Sequence, residues 1–368
     1  MRIKKAELFH LSLPMKFVFH TVKTSLPERE TLVLKLSGED GNVGYGEIVS
    51  FKEPFYTEET LEYSKKVLEK DYIPYLLKND ISHPFSFHEH CIHNVPMAEC
   101  GVENALLDLY ARQQGENIIS MVFREQKNPT IALGIVIGDL ETSAVCSQIE
   151  KGYRSGCRRF KVKINPDNGV KKLQEIRKEF PYIILLADAN QSFPPSESMQ
   201  LKELDSFNLL CLEEPFAVNS ILDYKKIQKE FQTPICLDET IQTLEDLKTG
   251  IQMACFQVLN IKAGRVGGLY YAREMIHICR QHGIRFWIGS MVETGISKIL
   301  HVQMAALKDV YIPGDLSDST RYFEEDVIKP PIQFEGGRMK VPDAPGIGVE
   351  INENVLRRMQ KEYQVWER

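Results

Sequence analysis

The sequence predicts an α/β protein: a (β/α) barrel with an α+β capping domain formed by the N-terminal segment and the C-terminal tail. From about residue 130, short apolar runs alternate with amphipathic stretches, which is typical of buried parallel strands connected by helices. Before that point, residues 31–37 alternate in polarity like a half-buried strand, and turn-forming residues 39–42 lead into a return strand. We expect the capping domain at residues 1–125, the barrel at residues 126–320, and a C-terminal segment, residues 321–368, that packs back on the cap.

Seven apolar runs predict the strands of the barrel, at residues 131–137, 159–164, 182–189, 209–214, 233–239, 256–262 and 284–290. A weaker run at residues 310–312 is the candidate for an eighth strand. Helical periodicity is found at residues 57–78, 97–114, 170–180, 220–231 and 266–282. Seven or eight strand–helix units fit a closed barrel better than an open sheet. The glycine motifs of dinucleotide-binding and P-loop proteins follow none of these runs, which argues against both classes.

The composition is that of an ordinary globular protein, with 43% apolar and 26% charged residues. The 45 Lys and Arg against 51 Asp and Glu give a formal net charge of -6, so nucleic-acid binding has no electrostatic support. No apolar run approaches the roughly 18 residues of a membrane span, and we expect no membrane association. The eight cysteines form no CxxC pair, which favours reduced thiols in a cytoplasmic protein. The sequence leaves both a monomer and a homo-oligomer open.

Five ionisable residues end successive predicted strands at nearly constant spacing. They are Lys163, Asp188, Glu213, Asp238 and Lys262, separated by 25, 25, 25 and 24 residues. One strand–helix unit takes about this length, so each residue is expected at the C-terminal mouth of its strand. That mouth is where barrel active sites are built. The spacing therefore predicts an active site that contains these five residues.

The three carboxylates of this set predict a metal site. Asp188, Glu213 and Asp238 would lie on adjacent strands, where three like charges cannot all stay ionised without a cation. Ligands that are all oxygen favour Mg²⁺, with Mn²⁺ as a substitute, over Zn²⁺. We therefore expect a divalent cation at the mouth of the barrel.

The lysines of this set predict proton transfer. Lys163 and Lys262 are expected on opposite sides of the mouth, facing each other across a ligand. Lys161 is two residues before Lys163, so both side chains would point to the barrel interior. A second ammonium and a divalent cation nearby would lower the pKa of Lys163 towards neutrality, as a general base requires. The residues together predict abstraction of the α-proton of a small-molecule carboxylate and stabilisation of the resulting enediolate.

Motifs along nearly the whole chain point to one family. They are GYGE at residues 44–47, YTEET at 56–60, KVK at 161–163, ADAN at 187–190, LEEPF at 212–216, CLDE at 236–239, NIK at 260–262, RVGG at 265–268 and GDLS at 314–317. With these motifs the sequence resembles the enolase superfamily, muconate-lactonising subgroup. Within that subgroup it resembles the o-succinylbenzoate synthase/N-succinylamino acid racemase family.

The resemblance implies a barrel of enolase-superfamily type and a reaction. The reaction is the Mg²⁺-dependent syn dehydration of 2-succinyl-6-hydroxy-2,4-cyclohexadiene-1-carboxylate to o-succinylbenzoate in menaquinone biosynthesis. Lys163 would be the general base and then the acid that protonates the departing hydroxide. Lys262 would stabilise the enediolate, or become the second acid/base if the reaction is a racemisation.

The resemblance also implies the remaining site residues. The implied metal ligands are Asp188, Glu213 and Asp238. Asn190 and the backbone of Ser290 and Met291 would border the substrate, and a loop near residues 17–25 would close over it. The chain departs from the family pattern at residues 18–22, Glu214, Ser290 and residues 297–298, which leaves the substrate specificity open.

Two other functions remain open at this point. One is an N-succinylamino acid racemase or dipeptide epimerase on the same scaffold, because Arg265 occurs in relatives that also racemise N-succinylamino acids. The other is a catalytically silent metal-binding or interaction protein that kept the barrel. The intact lysines and carboxylates argue against the second.

Two further polar stretches are predicted to be surface. Residues 83–93 hold four of the nine histidines, but Ile92 occupies the place where an HExxH zinc motif needs its second histidine. We predict an ordinary polar helix surface there. Arg154, Arg158 and Arg159 are predicted to be solvated at a helix end or at the rim of the barrel.

Overall fold

The structure is a computed structural model that describes residues 1–20 and 23–368. Its strands, in chain order, are β1 (Ile3–His20), β2 (Ser25–Gly38), β3 (Val43–Ile48), β4 (Thr130–Ala132), β5 (Gly134–Ile137), β6 (Arg159–Lys163), β7 (Ile184–Asp188), β8 (Leu212–Glu213), β9 (Ile235–Leu237), β10 (Val258–Ile261), β11 (Arg285–Ile288), β12 (Ile328–Lys329), β13 (Arg338–Lys340), β14 (Glu350–Ile351) and β15 (Gln360–Glu367).

The α-helices, in chain order, are α1 (Leu61–Val67), α2 (Ile73–Lys78), α3 (Pro96–Gln114), α4 (Ile118–Phe123), α5 (Thr142–Arg154), α6 (Gly169–Glu179), α7 (Ser198–Leu201), α8 (Tyr224–Ile227), α9 (Leu244–Gln252), α10 (Ala263–Val266), α11 (Leu269–His282), α12 (Gly295–Met304) and α13 (Glu353–Arg358). A π-helical turn, Leu68–Tyr72, joins α1 to α2. Short 3-10 helices lie at Pro84–His90, Pro195–Glu197, Lys202–Phe207, Ile221–Asp223, Gln228–Glu230 and Ser319–Arg321. None of the helices in the described ranges is long and apolar enough to cross a membrane.

The capping domain is built on a four-stranded antiparallel sheet with the order β15-β1-β2-β3. The C-terminal strand β15 pairs with β1, so the tail completes the sheet of the N-terminal segment. In the turn between β2 and β3, Gly41 has a φ of 84°, a conformation that favours glycine. The predicted hairpin and the predicted return of the tail to the cap are confirmed.

The long helix α3 packs on this sheet at the glycines of β3. A Cβ atom on Gly44 would overlap the backbone of Ala105 in α3, and one on Gly46 would overlap the backbone of Gly101. Glycine at both positions therefore lets the sheet and the helix approach closely. The helix matches the one predicted at residues 97–114. The helix predicted at residues 57–78 begins later, because Thr60 caps α1 by accepting a hydrogen bond from the next turn.

Seven parallel strands form the curled sheet of the barrel, in the order β11-β10-β9-β8-β7-β6-β5. Each predicted run contains one of them, so the predicted barrel strands are confirmed. Both edge strands are hydrogen bonded to an irregular segment, residues 310–316. The backbone N of Tyr311 donates to the carbonyl of Phe286 at 2.8 Å, and the N of Gly134 donates to the carbonyl of Leu316 at 3.3 Å. This closing segment takes the place of the eighth strand.

The first predicted run, residues 131–137, is divided between two sheets. Strand β4 pairs with β13 in an antiparallel ladder, and the barrel strand β5 begins only at Gly134. A Cβ atom on Gly134 would overlap the carbonyl of Gly314 in the closing segment. The barrel can therefore close only where the chain offers a glycine. The hydrophobicity of the run is continuous, and for that reason the sequence does not reveal the division.

An apolar layer fills the barrel below the strand ends. It consists of Leu186, Cys211, Cys236, Val258, Trp287 and Ile312, all buried. The ammonium of Lys161 lies 5.0 Å from the centroid of the Trp287 ring, so this charged side chain lies directly on the apolar layer. The eight cysteines carry free thiols.

The loop predicted near residues 17–25 is largely strand. Strand β1 continues to His20 and β2 begins at Ser25, with Phe19 opposite Leu26. Thr21 and Val22 belong to the same prediction and lie outside the described residues. The hairpin nevertheless brings Phe19 and Lys23 to the cavity of the candidate site.

Candidate active site

Five strands bring the predicted residues to one end of the barrel. Lys163, Asp188 and Glu213 are the last residues of β6, β7 and β8. Asp238 and Lys262 directly follow β9 and β10. The strand register pairs Lys163 with Asp188, and Asp188 with Glu213. All five residues are buried, so parallel pairing places five ionisable groups together with little water around them.

Two lysines share one carboxylate oxygen in this group. Nζ of Lys163 lies 2.7 Å from Oδ2 of Asp188, and Nζ of Lys161 lies 3.1 Å from the same atom. Lys161 also donates to both carboxylate oxygens of Glu213 at 3.0 Å. Burial opposes the charge on Lys161, but the carboxylates of Asp315 and Glu213 outweigh it and hold its pKa well above the usual range. Lys161 therefore stays an ammonium beside Lys163.

Asp315 joins this network from the closing segment. Its Oδ2 lies 2.7 Å from Nζ of Lys161, and its Oδ1 accepts a hydrogen bond from Nη1 of Arg159 at 2.5 Å. Asp315 was not among the predicted site residues, because no apolar run of strand length ends there. The GDLS motif that contains it was the available signal.

The prediction that Arg159 is solvated at the barrel rim is wrong. Arg159 begins β6, two residues before Lys161, and alternation along the strand turns both side chains inward. Its guanidinium is buried, pairs with Asp315 and lies 4.7 Å from the centroid of the Trp287 ring. Arg154 and Arg158 are exposed, as predicted.

Lys262, four strands away from Lys163 along the sheet, lies in a second network. Its Nζ is 2.6 Å from Oδ2 of Asp238 and 3.1 Å from the hydroxyl of Tyr56. Tyr56 belongs to the cap, and its hydroxyl donates to Oδ1 of Asp238 at 3.0 Å. Arg265 contacts the same carboxylate through Nη1. Burial opposes the charge on Lys262, but Asp238 outweighs it and holds the pKa of Lys262 above its usual range.

Glu213 and a neighbouring acid, Glu239, both have raised pKa values. Burial raises the pKa of Glu213 to about 8, and the neighbouring charge of Asp188 adds to the rise. Burial and Asp238 raise the pKa of Glu239 to about 8 as well. Oε2 of Glu239 is buried and has no hydrogen-bond partner among the described residues. A cation bound among these oxygens would favour the ionised forms.

The donor set fits a hard divalent cation, although its side chains are not arranged as a finished metal centre. Within residues 1–20 and 23–368, no three His, Cys, Asp or Glu side chains are grouped closely enough to hold a metal ion. Ammonium groups contact the acids instead: Lys161 bridges Asp188 and Glu213, and Lys262 pairs with Asp238. Buried carboxylate oxygens on neighbouring strands are the ligands that Mg²⁺ and Mn²⁺ prefer.

The backbone around the mouth is locally strained. Asn190, Glu214 and Val292 have φ angles of 44°, 39° and 57°, a region that residues with a side chain rarely adopt. Oε1 of Glu214 accepts hydrogen bonds from the backbone N of Asp238 at 2.7 Å and of Thr240 at 2.8 Å, which fixes the turn after β9. Backbone of this kind is typical of functional sites, because surrounding contacts must hold it in place.

A cavity of about 720 Å³, which includes solvent at its mouth, opens above the lysines. Lys163 and Lys262 both line it, together with the three residues predicted to border the substrate, Asn190, Ser290 and Met291. Oδ1 of Asn190 accepts a hydrogen bond from Lys163 at 2.5 Å, so this residue also orients the predicted base.

The histidine-rich stretch, residues 83–93, contributes nothing to this cavity. It contains a 3-10 helix, and its histidines pair with carboxylates of the cap. His90 and His93 contact Asp71 at 2.9 and 2.5 Å, and His88 contacts Glu103. These pairings agree with a structural role.

Known proteins resemble this chain over its whole length. Residues 144–355 match the family model described as enolase C-terminal domain-like. Residues 4–122 match the model described as mandelate racemase/muconate lactonizing enzyme, N-terminal domain.

Individual relatives are also similar to this chain over nearly its full length. The chain is 35% identical to the o-succinylbenzoate synthase of Bacillus subtilis (strain 168), over 97% of this chain and 96% of the relative. It is 34% identical to the N-succinylamino acid racemase of Thermus thermophilus, over 100% of this chain and 99% of the relative. A solved structure of an enolase-superfamily member from Listeria innocua has a TM-score of 0.93 and 31% identity, and covers 100% of this chain and 99% of its own.

Proposed function

The chain belongs to the mandelate racemase/muconate lactonizing enzyme family of the enolase superfamily, and we propose that it acts as an o-succinylbenzoate synthase. The substrate would be 2-succinyl-6-hydroxy-2,4-cyclohexadiene-1-carboxylate, which loses water to give o-succinylbenzoate. The observation that carries the proposal is that two buried lysines, Lys163 and Lys262, line one cavity beside buried carboxylates. Five relatives named o-succinylbenzoate synthase, between 32% and 35% identical to this chain, support the choice of substrate.

Asp188, Glu213 and Asp238 are the residues that would hold Mg²⁺, with Mn²⁺ as a substitute of the same oxygen chemistry. When bound, the divalent cation supplies positive charge that stabilises a substrate carboxylate as it gains electron density.

Lys163 performs both proton transfers in this mechanism. As a neutral amine, its Nζ removes the proton from C1 of the substrate, and the electron pair of the C–H bond moves into the adjacent carboxylate. The electron pair then returns to form the double bond between C1 and C6 while the C–O bond at C6 breaks. Lys163 gives its proton to the departing hydroxide, so water leaves and the amine is restored. One lysine serving both steps makes the elimination syn.

Lys262 stabilises the charge that develops between these two steps. Asp238 keeps it an ammonium, and the hydroxyl of Tyr56 lies against it at 3.1 Å. A fixed ammonium in a buried site stabilises an enediolate far better than solvent would. The side chains of Phe19, Phe51 and Tyr56 come from the cap and line the cavity, where they would exclude water from the reaction.

The second candidate is an N-succinylamino acid racemase or dipeptide epimerase. Lys163 and Lys262 line the same cavity, so each could exchange a proton with one face of an α-carbon. Two relatives named N-succinylamino acid racemase, 34% and 32% identical to this chain, support this second candidate. It predicts that deuterium from solvent enters the α-position of an N-succinylamino acid only when both lysines are present. The relatives matched over the whole chain are enzymes, so the catalytically silent interpretation is set aside.

The test of the proposal follows the ultraviolet absorbance as freshly prepared cyclohexadiene substrate is added with Mg²⁺ and then with EDTA. We expect fast conversion to o-succinylbenzoate with Mg²⁺ and its loss with EDTA. If the protein leaves the substrate unchanged but introduces deuterium into N-succinylamino acids, the racemase replaces the synthase. If it does neither, both proposals are wrong.

A further inference from the structure

The cavity of the candidate site has a charged floor and an apolar wall. The floor carries buried lysines and two acids, Glu239 and Asp315. The wall is formed by apolar side chains that include Phe19, Leu26, Phe51, Phe55 and Met291. A ligand that fills this cavity therefore meets charged groups at its reacting end and hydrocarbon along its length.

One cation lies outside this floor. Lys23, from the cap, lines the cavity and is exposed, whereas Lys161, Lys163 and Lys262 are buried below it. Among the described residues that line the cavity, Lys23 is the basic side chain that does not belong to the barrel. Its exposure places it at the solvent side of the cavity, whereas the reacting residues are buried.

The substrate of the proposed function needs a cationic partner at the solvent side of the cavity, and this inference rests on that function. Besides the carboxylate at its reacting carbon, the substrate carries a second one at the end of the succinyl chain. The floor offers it no further counter-charge, because Lys163 is already paired with Asp188 and Lys262 with Asp238. The second carboxylate cannot lie against the apolar wall without a partner, because a carboxylate held away from water without one is strongly unfavourable.

We propose that Lys23 binds the distal carboxylate of the succinyl group and so selects succinylated substrates. A lysine suits this position because its ammonium carries three donors on a flexible four-carbon stem and can follow a carboxylate at the mouth of a cavity. N-succinylamino acids carry the same carboxylate, so the proposal applies to the synthase and to the racemase.

Two other lysines near the cavity fit the role less well. Lys52 is highly exposed and lines a neighbouring hollow instead. Lys298 is buried behind the wall, with its ammonium 5.2 Å from the centroid of the Tyr322 ring, and does not line the cavity. Lys52 therefore serves as the matched control.

The test measures binding of two ligands by calorimetry in the presence of Mg²⁺. The ligand 2-succinylbenzoate is the product of the proposed reaction, and 2-butyrylbenzoate differs only in having a methyl group in place of the distal carboxylate. The variants are Lys23→Ala, Lys23→Arg and the control Lys52→Ala. We expect Lys23→Ala to raise the Kd of 2-succinylbenzoate about tenfold and that of 2-butyrylbenzoate less than twofold. Lys23→Arg should restore most of the affinity, and Lys52→Ala should bind like the wild type.

Other outcomes overturn the proposal. If Lys23→Ala raises the Kd of both ligands equally, Lys23 shapes the cavity and does not bind the distal carboxylate. If Lys23→Ala leaves both Kd values unchanged, Lys23 has no specific role. The same holds if Lys52→Ala raises the Kd of 2-succinylbenzoate as much as Lys23→Ala does. Failure of the synthase reaction would be seen separately, as lack of conversion of the cyclohexadiene substrate by the wild type. The ratio of the two Kd values in Lys23→Ala decides the role of Lys23 in either case.

Discussion

Lys161 and Lys163 contact the same atom, Oδ2 of Asp188, at 3.1 and 2.7 Å. The role predicted for Lys161, to lower the pKa of Lys163 by its charge, stays a prediction. The structure adds a second role, because Lys161 also contacts both Glu213 and Asp315 and is the buried counter-ion of these acids. The residue next to the proposed base thus supports the charged floor of the site.

Replacing Lys161 with methionine tests this second role. The side chains are similar in length, but the acids of Glu213 and Asp315 lose a buried counter-charge. We expect the free energy of unfolding of the metal-free protein at pH 7 to fall by about 3 kcal/mol, measured by urea denaturation. The control Lys171→Met changes a side chain on α6 that is 81% exposed, and should stay within roughly 0.5 kcal/mol of the wild type. Equal stability of the two variants would contradict the role.

Removing the hydroxyl of Tyr56 tests the contribution of the cap to catalysis. In Tyr56→Phe, the ammonium of Lys262 loses a contact at 3.1 Å while the aromatic ring that lines the cavity remains. We expect kcat of the synthase reaction to fall about tenfold, with the Kd of 2-succinylbenzoate changed less than twofold. The control is Tyr63→Phe, in which the tyrosine is 42% exposed on α1. A rise in Kd with unchanged kcat would show that the hydroxyl binds the ligand and does not position Lys262.

Glu59 predicts a pH dependence of stability in the cap. Its carboxylate accepts hydrogen bonds from the backbone N of Met97 at 2.7 Å and of Ala98 at 2.9 Å, in the first turn of α3. Burial raises its pKa from 4.5 to about 7. Because the folded-state value is the higher one, the contribution to stability is complete below pH 4.5 and is lost as the pH rises through 7.

The measurement compares urea denaturation of the wild type and of Glu59→Gln at pH 5 and pH 8. We expect the wild type to lose roughly 2 kcal/mol more than the variant between these two values. An equal change in both proteins would mean that the carboxyl of Glu59 does not titrate in this range.

The strand ends were predictable from the sequence, and the contacts between distant segments were not. Lys163, Asp188, Glu213, Asp238 and Lys262 could be placed because one strand–helix unit has a nearly constant length, so their spacing alone brings them to the same end of the barrel. The charge and the type of each side chain then indicated metal binding by the carboxylates and proton transfer by the lysines.

The residues that the sequence did not assign depend on tertiary packing. Asp315 lies in a closing segment whose hydrogen bonds are irregular, so no strand pattern precedes it. Tyr56 reaches Asp238 only because the cap docks on the mouth of the barrel, which no local pattern encodes. Arg159 lies in a basic stretch of the sequence, which is typical of a surface residue. It is buried because it begins β6, where every second side chain points to the barrel interior.

The central claim is that Lys163 transfers the proton, and the rate of conversion of the cyclohexadiene substrate by Lys163→Ala with Mg²⁺ tests it most directly. The control is Lys171→Ala, and circular dichroism verifies that both variants are folded. We predict that Lys163→Ala lowers kcat about 10³-fold while Lys171→Ala matches the wild type. A folded Lys163→Ala protein that keeps kcat within about tenfold of the wild type would contradict the account, because another group would then be the base.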